Sequence, residues 1–353
     1  MENTIKVFDE KINRIIYGYE KGLPVVSDFD KLAVEIARYQ YKHNDLFRGL
    51  CEKCGINCSQ ILRLEDIPIL PVSVFKQKSK VTSIPIDKNG IEMVTSGTTS
   101  GKHGLIYRDP GFFFLREKAI LSSGSKDLFS RFYPNKVQII FLDFPNRRRL
   151  PDFPINYSVL ANYARFFGTE DSIFLDPTIQ SDEKCLVDNI RLAKLTDRPI
   201  VILGPSYRIS HIVGGVVEGR IDELKLPPGS MVMDSGGLKN RGYHQDYSKY
   251  VANLLEVFNI TRRDYVNTYT LSEIGSHFSD MSELPEAEIY KKCPPWTKVR
   301  LVTVKDIDVA VGERGEIIIY DLLNRGTILA LRTGDYGIRT TKGFKIQERG
   351  AIN

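Results

Sequence analysis

The decapeptide from Met93 to Lys102, MVTSGTTSGK, concentrates hydroxyl groups, glycines and one cation between two short apolar runs. Glycines let the backbone come close to an anion, and successive N–H groups and hydroxyls donate to phosphate oxygens. The stretch therefore predicts a phosphate-holding loop, although a Ser/Thr-rich surface turn has a similar composition. It is not a P-loop, whose glycines stand further apart and whose lysine precedes a Ser or Thr. Here three residues separate Gly97 from Gly101, and His103 follows the lysine.

Three later segments also carry groups suited to nucleotide chemistry: Tyr269–Glu273 (YTLSE), Leu331–Tyr336 (LRTGDY) and Gly343–Arg349. Each has a structural alternative. Ser272 and Glu273 could cap the start of a helix, and Asp335 could be a turn residue after Gly334. If the segment after Glu273 is helical, His277 shares a face with it and is a candidate cleft residue.

The run from Thr95 to Thr99 resembles the signature loop of adenylate-forming enzymes, which use ATP to convert a carboxylate into an acyl adenylate. The three later segments resemble further motifs of that superfamily, and they follow in the same order along the chain. Four matches in order over residues 95 to 349 are hard to explain by chance. The Gly343–Arg349 segment resembles the hinge of these enzymes.

This resemblance implies a role for each matching residue. The residues implied to be catalytic are Thr98, Lys102, Ser272 and Glu273. Those implied to bind the nucleotide are Thr95, Ser96, Gly97, Thr99, Ser100, Gly101, Gly236, Gly237, Tyr269, Asp335 and Arg349. In the family the aromatic at Tyr269 packs on adenine, the acid at Glu273 serves magnesium, and the acid at Asp335 accepts hydrogen bonds from the ribose. ATP and Mg2+ are therefore the implied cofactors.

Within the superfamily the chain most resembles the acyl-protein synthetases, a branch that includes the fatty-acid-activating subunit of the bacterial luminescence reductase. Tyr269–Asp280 resembles the extended motif of that branch, and Asp234–Lys239 resembles its Thr-Gly-Gly-x-Lys segment. Ser100 and the run Ile67–Lys76 agree with it, so the resemblance covers nearly the whole chain. It implies a carboxylic acid substrate, most naturally a fatty acid. The implied acceptor is the thiol of a partner protein, a carrier protein or coenzyme A.

The resemblance implies an α/β fold, the large N-terminal domain of adenylate-forming enzymes, with mostly parallel sheets flanked by helices and a small β subdomain. Because the sequence ends soon after the hinge-like segment, the mobile C-terminal domain and its catalytic lysine are expected to be absent. Lys102, Lys239 or a partner subunit would then supply the charge that stabilises the adenylation transition state.

The cysteines raise two further hypotheses. In this branch the acyl group is carried on a cysteine near the C-terminus, whereas the last cysteine of this sequence is Cys293. Cys293 could accept the acyl group, or it could simply pack before the Pro-Pro turn that follows it. We favour a partner thiol as the acceptor. The spacing of Cys51, Cys54 and Cys58 suggests a zinc site, but a structural zinc site needs a fourth ligand. The alternative is that these thiols lie at the end of a helix that Gly55 terminates.

Apolar spacing predicts the elements that must hold these residues. Residues 5–65 read as mainly helical, with Leu32, Ile36 and Tyr39 on one face. From residue 92 onward β-rich runs alternate with helical patterns, which predicts crossovers on a mostly parallel sheet. The strand-like runs are 137–142, 173–175 and 200–203, and the helical ones are 158–167 and 183–195. Asp109-Pro110 predicts an N-cap followed by proline at the first helical position.

The last sixty or so residues predict a different kind of structure from the α/β part before them. Val299–Val304 and Glu316–Tyr320 predict strands joined through Gly312 and Gly315, as in a small antiparallel sheet or barrel. We therefore predict three parts: 1–90, mainly helical; 91–295, the α/β nucleotide- and carboxylate-binding core; and 296–353, the small β subdomain.

The composition and charge of the chain argue against several classes of function. The net charge of +5 comes from 49 basic and 44 acidic residues, so the chain lacks the basic bias of a nucleic-acid binder. No apolar run approaches the length of a membrane span and no secretory signal is visible, which predicts a cytoplasmic enzyme. The sequence thus predicts an AMP-forming acid–thiol ligase of acyl-protein synthetase type. The alternatives are a phosphotransferase with an atypical loop and a non-catalytic module that binds an acyl carrier or reductase.

Overall fold

The computed structural model describes residues 2–24, 29–76, 81–86, 88–94, 104–132, 134–143, 159–238, 246–281 and 288–347. Contacts within the chain divide it into two units. The first unit comprises Met1–Lys126, Leu271–Phe278 and Tyr290–Asn353, and the second comprises Asp127–Thr270 and Ser279–Ile289. The predicted boundaries after residues 90 and 295 follow element type rather than contacts, and they stay a prediction.

The described part of the chain contains eight α-helices and fourteen strands. The helices are α1 (Glu2–Glu20), α2 (Phe29–His43), α3 (Asp45–Lys53), α4 (Pro110–Ser123), α5 (Val159–Phe167), α6 (Gln180–Leu195), α7 (Ser206–Val217) and α8 (Tyr247–Phe258). The strands are β1 (Leu70–Pro71), β2 (Ile91–Val94), β3 (Leu105–Arg108), β4 (Gln138–Leu142), β5 (Ile173–Leu175), β6 (Ile200–Pro205), β7 (Met231–Ser235), β8 (Tyr265–Tyr269), β9 (Phe278–Met281), β10 (Tyr290–Lys292), β11 (Thr297–Val302), β12 (Arg314–Asp321), β13 (Ala330–Arg339) and β14 (Gly343–Gln347).

The helices of the first unit form where the sequence predicts them. Leu32, Ile36 and Tyr39 of α2 are buried in one apolar cluster with side chains of α1 and α4. The helix α3 begins at an Asn44 cap, and Gly55, with a φ of +70°, follows its end as predicted.

The predicted start of α4 is also confirmed. The Asp109 side chain accepts a hydrogen bond from the Gly111 N–H, and Pro110 occupies the first helical position. The helix therefore begins directly after β3, the strand that follows the predicted phosphate loop.

The sheet of the first unit is mainly antiparallel. Its strands lie in the order β11-β12-β13-β14-β10, and β1 adds to β13 in parallel. The predicted strand pair is confirmed as β11 and β12, with Val299 opposite Ile319. Gly312 has a φ of +90° in the connection between them, and a Cβ on Gly315 would lie 2.7 Å from the Val302 nitrogen. Glycine is thus required on both sides of this turn.

The second unit is a parallel α/β layer. Its strands lie in the order β5-β4-β6-β7-β8, and every neighbouring pair is parallel. Ile140, Ile202 and Val232 of the three central strands are buried with side chains of α6, α7 and α8. The predicted alternation of strands and helices is confirmed, because long apolar runs suit strands that are covered on both faces.

Within the described ranges, none of the helices combines the length and apolarity that crossing a bilayer requires.

Candidate functional site

The predicted phosphate loop, Thr95 to Lys102, lies outside the described residues, so the roles of its side chains stay predictions. The strands on either side of it are described. β2 and β3 pair antiparallel, with Val94 opposite Leu105. Gly104, just before β3, packs so tightly that a Cβ there would lie 2.5 Å from the Phe75 carbonyl oxygen. Gly104 is therefore packed against the segment that ends at Lys76.

The segment Ser272–Glu273 forms a turn between β8 and β9, in the first unit. The alternative of a helix cap is wrong, and so is the helical face shared by Glu273 and His277, because no helix forms here. Burial raises the pKa of the Glu273 carboxyl, the charges of Arg108 and Lys76 lower it, and the charge of Asp335 raises it. Two carboxylates and two cations thus share one electrostatic environment.

Asp335 lies in a β-bulge of β13 and not in a turn. Glu316 pairs with Tyr336 and Ile318 pairs with Arg332, so three residues of β13 oppose the single residue between the two pairs on β12. Gly334 has a φ of +74° at the centre of the bulge, where L side chains rarely fit.

Side-chain hydrogen bonds support this bulge. The Thr333 hydroxyl donates to the Ile317 carbonyl oxygen, and the Asp335 N–H donates to that hydroxyl. The glycine and threonine of the Arg-Thr-Gly-Asp motif therefore have a structural purpose, which is to fix the backbone from which the aspartate projects.

Three buried residues of the first unit, Arg108, Asp321 and Asn324, hold the turn, and sequence reasoning missed them. Asp321 accepts hydrogen bonds from the N–H groups of Gly275 and Ser276, both at 2.9 Å, and from the Ser276 hydroxyl at 2.8 Å. Asn324 and Arg108 donate to the carbonyl oxygens of Glu273 and Ser272, respectively. Their partners in the turn lie 45 to 164 positions away, so no local pattern reveals this role.

In the second unit, Gly236 and Tyr269 leave the sheet side by side. β7 and β8 are parallel neighbours with Ser235 opposite Thr268, so the next residue of each strand stands at the same carboxyl edge. Gly236 and Gly237 are exposed, whereas the Tyr269 side chain is largely buried. Ligands of open α/β sheets bind beyond this edge. The structure therefore brings together the three second-unit residues that the resemblance implied for the nucleotide.

The glycine pair in the second unit is supported by a buried carboxylate. Asp234 accepts hydrogen bonds from Tyr250, Tyr265 and Asn267. Burial raises the pKa of this carboxyl, and the Asn267 and Tyr250 hydrogen bonds lower it. Asn267 also donates to the Gly236 carbonyl oxygen. The network fixes the backbone at the point where β7 ends.

His277 and Cys293 are both poorly suited to chemistry in which a side chain must ionise. His277 is buried, and burial together with the charge of Arg116 lowers its pKa to about 3. Burial raises the pKa of the Cys293 thiol to about 12, despite the neighbouring Lys291 and Lys292. A neutral imidazole and a protonated thiol are the stable forms at neutral pH.

The cysteine cluster does not assemble a metal site in the described part of the chain. Cys51 is buried, Cys54 is exposed and Cys58 is half-buried. No group of three or more His, Cys, Asp or Glu side chains among the described residues could hold a metal ion.

Comparisons with known proteins agree with these motifs. The family model described as acyl-protein synthetase, LuxE, matches residues 16–322. The chain is 24% identical over 314 residues to a long-chain-fatty-acid–luciferin-component ligase of Vibrio harveyi, covering 85% of this chain and 76% of the relative. It is 35% identical over 80 residues to a ligase of the same name from Photorhabdus luminescens, covering 22% of this chain and 66% of the relative.

Solved structures of similar fold are adenylate-forming enzymes. An open conformation of 2-hydroxyisobutyryl-CoA ligase, in complex with 2-HIB-AMP and CoA, matches with a TM-score of 0.62 at 12% identity, over 90% of this chain and 68% of that one. McyG A-PCP, complexed with phenylalanyl-adenylate, matches with a TM-score of 0.50 at 16% identity, over 86% of this chain and 47% of that one. At these identities the likeness confirms the fold that the sequence predicted.

Proposed function

This chain belongs to the LuxE family of acyl-protein synthetases, and from that premise we propose how its residues carry out the reaction. It is an ATP-dependent ligase that activates a carboxylate as an acyl adenylate and then transfers the acyl group. The observation that supports the residue assignment is that Glu273 stands on a turn held by Asn324 and Arg108, and Asp335 on a bulge of β13, within the same unit.

Glu273 is the proposed ligand of magnesium. Mg2+ favours oxygen donors and is usually bound through one or two carboxylates together with phosphate oxygens and water. Glu273 fits that pattern as a carboxylate that shares its electrostatic environment with Asp335; burial raises its pKa, and a bound Mg2+ would favour its ionised form. When bound, the ion neutralises charge on the phosphates. The hydroxyls of Ser272 and Thr98 and the charge of Lys102 are the proposed further partners of the phosphates.

The nucleoside has its own proposed contacts. Asp335 accepts hydrogen bonds from the ribose hydroxyls, and its bulge restricts where the carboxylate can point. Tyr269 packs on adenine, and the exposed backbone of Gly236 and Gly237 lets the base approach closely. Arg349, which lies outside the described residues, is the proposed hinge arginine.

In the first step a carboxylate oxygen attacks the α-phosphorus of ATP. The new bond joins that oxygen to phosphorus, the bond to the bridging oxygen breaks, and pyrophosphate leaves with the electron pair. Such a displacement depends on positioning and on donors aimed at the developing charge. Backbone N–H groups of the Thr95–Lys102 loop are well suited to that task.

In the second step a thiolate attacks the acyl carbon, and AMP leaves. We propose a fatty acid as the substrate, because the relative that matches 85% of this chain is named as a long-chain-fatty-acid–luciferin-component ligase. The proposed acceptor is the thiol of a partner protein, a carrier protein or coenzyme A. The raised pKa of Cys293 supports an external acceptor, since its thiol stays protonated at neutral pH.

Exchange of labelled pyrophosphate into ATP tests this proposal. We expect exchange that depends on a carboxylic acid and on Mg2+, and a series of acids of increasing chain length will identify the preferred one. A phosphotransferase would instead release ADP, and a non-catalytic module would neither exchange pyrophosphate nor release ADP. Either result refutes the assignment.

A further inference from the structure

The Ser272–Glu273 turn is held by two buried side chains that are also bonded to each other. Asn324 donates from Nδ2 to the Glu273 carbonyl oxygen at 3.0 Å, and Arg108 donates from Nη2 to the Ser272 carbonyl oxygen at 3.3 Å. Arg108 also donates from Nη1 to Asn324 Oδ1 at 2.9 Å. Two consecutive carbonyl groups of the turn are therefore fixed by one connected pair.

Both N–H donors and the oxygen of the Asn324 amide are engaged in hydrogen bonds. Its Oδ1 accepts from Arg108, and its Nδ2 donates to Ile328 at 3.0 Å as well as to Glu273. The residue has no exposed surface. Only an amide supplies both an acceptor and two donors here, because a carboxylate has no donors and an apolar side chain has neither.

Arg108 is unusual as a structural residue because it is a buried cation whose hydrogen bonds go to neutral groups, while the carboxylates of Asp321, Glu273 and Asp109 act on it through their charge. It is 1% exposed, and none of the described carboxylates forms an ion pair with it. It donates to the Thr327 hydroxyl at 3.1 Å, and its guanidinium stacks 4.1 Å from the centre of the Phe112 ring. Burying a charge is unfavourable, and neutral side chains could hold two carbonyl groups with less desolvation.

The place of Arg108 in the chain suggests what the residue connects. It is the last residue of β3, the strand that leaves the predicted phosphate loop, and Asp109 then caps α4. One side chain thus joins the strand after the loop to the turn that carries Ser272 and Glu273.

We propose that Arg108 is a positioning residue for adenylation: with Asn324 it ties the Ser272–Glu273 turn to the strand that follows the phosphate loop. Its guanidinium supplies the fork of donors that fixes both elements in one geometry. This inference rests on the proposed function, because the geometry matters only if loop and turn serve the same triphosphate. Small displacements of such groups slow a displacement reaction strongly.

Arg108→Lys keeps the positive charge but removes the planar guanidinium, and an ammonium group cannot reproduce the directions of its three hydrogen bonds. We expect kcat for pyrophosphate exchange to fall about tenfold to a hundredfold, as is typical when a residue that orients a metal ligand is changed. The Mg2+ concentration for half-maximal rate should rise in parallel. KM for the carboxylic acid should stay within about twofold of the parent value, because no contact to the acid is removed.

Thr327→Val is the matched control. It removes one hydrogen bond of Arg108 but leaves the bonds to Asn324 and Ser272 in place. Its Mg2+ dependence and kcat should match those of the parent, even if its melting temperature falls. The inference is overturned if Arg108→Lys keeps the parental kcat and Mg2+ dependence, or if Thr327→Val changes both as much. Where Arg108→Lys does not fold, Asn324→Ser asks the same question.

A parent protein without carboxylate-dependent exchange would refute the proposed function, and Mg·ATP binding then decides whether Arg108 positions the Ser272–Glu273 turn. Hydrogen exchange at the Gly275 and Ser276 amides is measured with and without Mg·ATP. Protection by Mg·ATP in the parent and in Thr327→Val, but not in Arg108→Lys, supports the positioning role. Equal protection in all three proteins, or none in the parent, overturns it.

Discussion

Acidification should destabilise the first unit through His277, and the size of the effect follows from its pKa. The side chain is 3% exposed, and burial and Arg116 lower its pKa from 6.5 to about 3. The folded protein therefore holds a neutral imidazole at a pH where the unfolded chain binds a proton. Stability rises with pH wherever the unfolded state binds more protons. The contribution of His277 is thus fully present above pH 6.5 and is lost as the pH falls toward 3.

The expected loss is large compared with ordinary protein stability. Each pKa unit corresponds to about 1.4 kcal/mol, so lowering the pH from 7 to 4.5 should remove roughly 2–3 kcal/mol through His277. Domains are commonly stable by only about 5–15 kcal/mol. Below about pH 3 the imidazole is protonated in both states, and its contribution stops changing.

Urea unfolding at several pH values measures this directly. Trp296, the single tryptophan, has no exposed surface and lies in the same unit, so its fluorescence reports unfolding there. The variant His277→Gln cannot take up a proton, and its free energy of unfolding should fall less between pH 7 and 4.5 than that of the parent. The exposed His43 offers a control, since His43→Gln should remove only a small part of the slope. If the parent and His277→Gln lose the same stability, the prediction that the folded protein holds His277 as a neutral imidazole is wrong.

Four further predictions test the site. The double variant Gly97→Ala, Thr98→Ala should fold but lose pyrophosphate exchange, because a methyl group and a missing hydroxyl disturb the phosphate loop; a folded variant with parental exchange rates would exclude the loop assignment. Asp335→Ala should weaken ATP binding by about 1.5–3 kcal/mol, the range for hydrogen bonds to a charged group, as read by calorimetry; unchanged affinity contradicts the ribose role. Glu273→Gln should mainly lower turnover and require more Mg2+, whereas a parental magnesium titration would remove it from the metal site. With ATP and a labelled fatty acid, the protein alone should keep little hydroxylamine-sensitive label; stoichiometric label that disappears in Cys293→Ser would make Cys293 the acyl carrier.

The helices and strands were largely predictable because their signals are local. The apolar stripe of α2, the strand-like runs of the second unit and the Asp109-Pro110 start of α4 each depend on spacing within one element. Periodicity and capping act over a few residues, so the sequence displays them directly. The order of the motifs likewise identified the family that the comparisons confirm.

The conformation of the motif residues was not predictable in the same way. Ser272, Glu273 and His277 have a spacing that suits a helix, yet the segment is a turn. Asp321, Asn324 and Arg108 bond its backbone N–H and C=O groups at Gly275, Glu273 and Ser272. These partners are distant in sequence, and a buried backbone group will accept any geometry that satisfies its hydrogen bond. Tertiary contacts therefore override the helical propensity of this segment.

The sequence by itself determined which chemical groups this protein has and in what order they occur: a hydroxyl- and glycine-rich loop, a Ser-Glu pair and an aspartate after Arg-Thr-Gly. Only the tertiary structure decided that the aspartate stands on a bulge and that the Ser-Glu pair stands on a turn clamped by a buried arginine. The physical reason is burial. Desolvation makes an unsatisfied polar group so unfavourable that distant side chains, rather than neighbouring ones, fix the backbone of this turn.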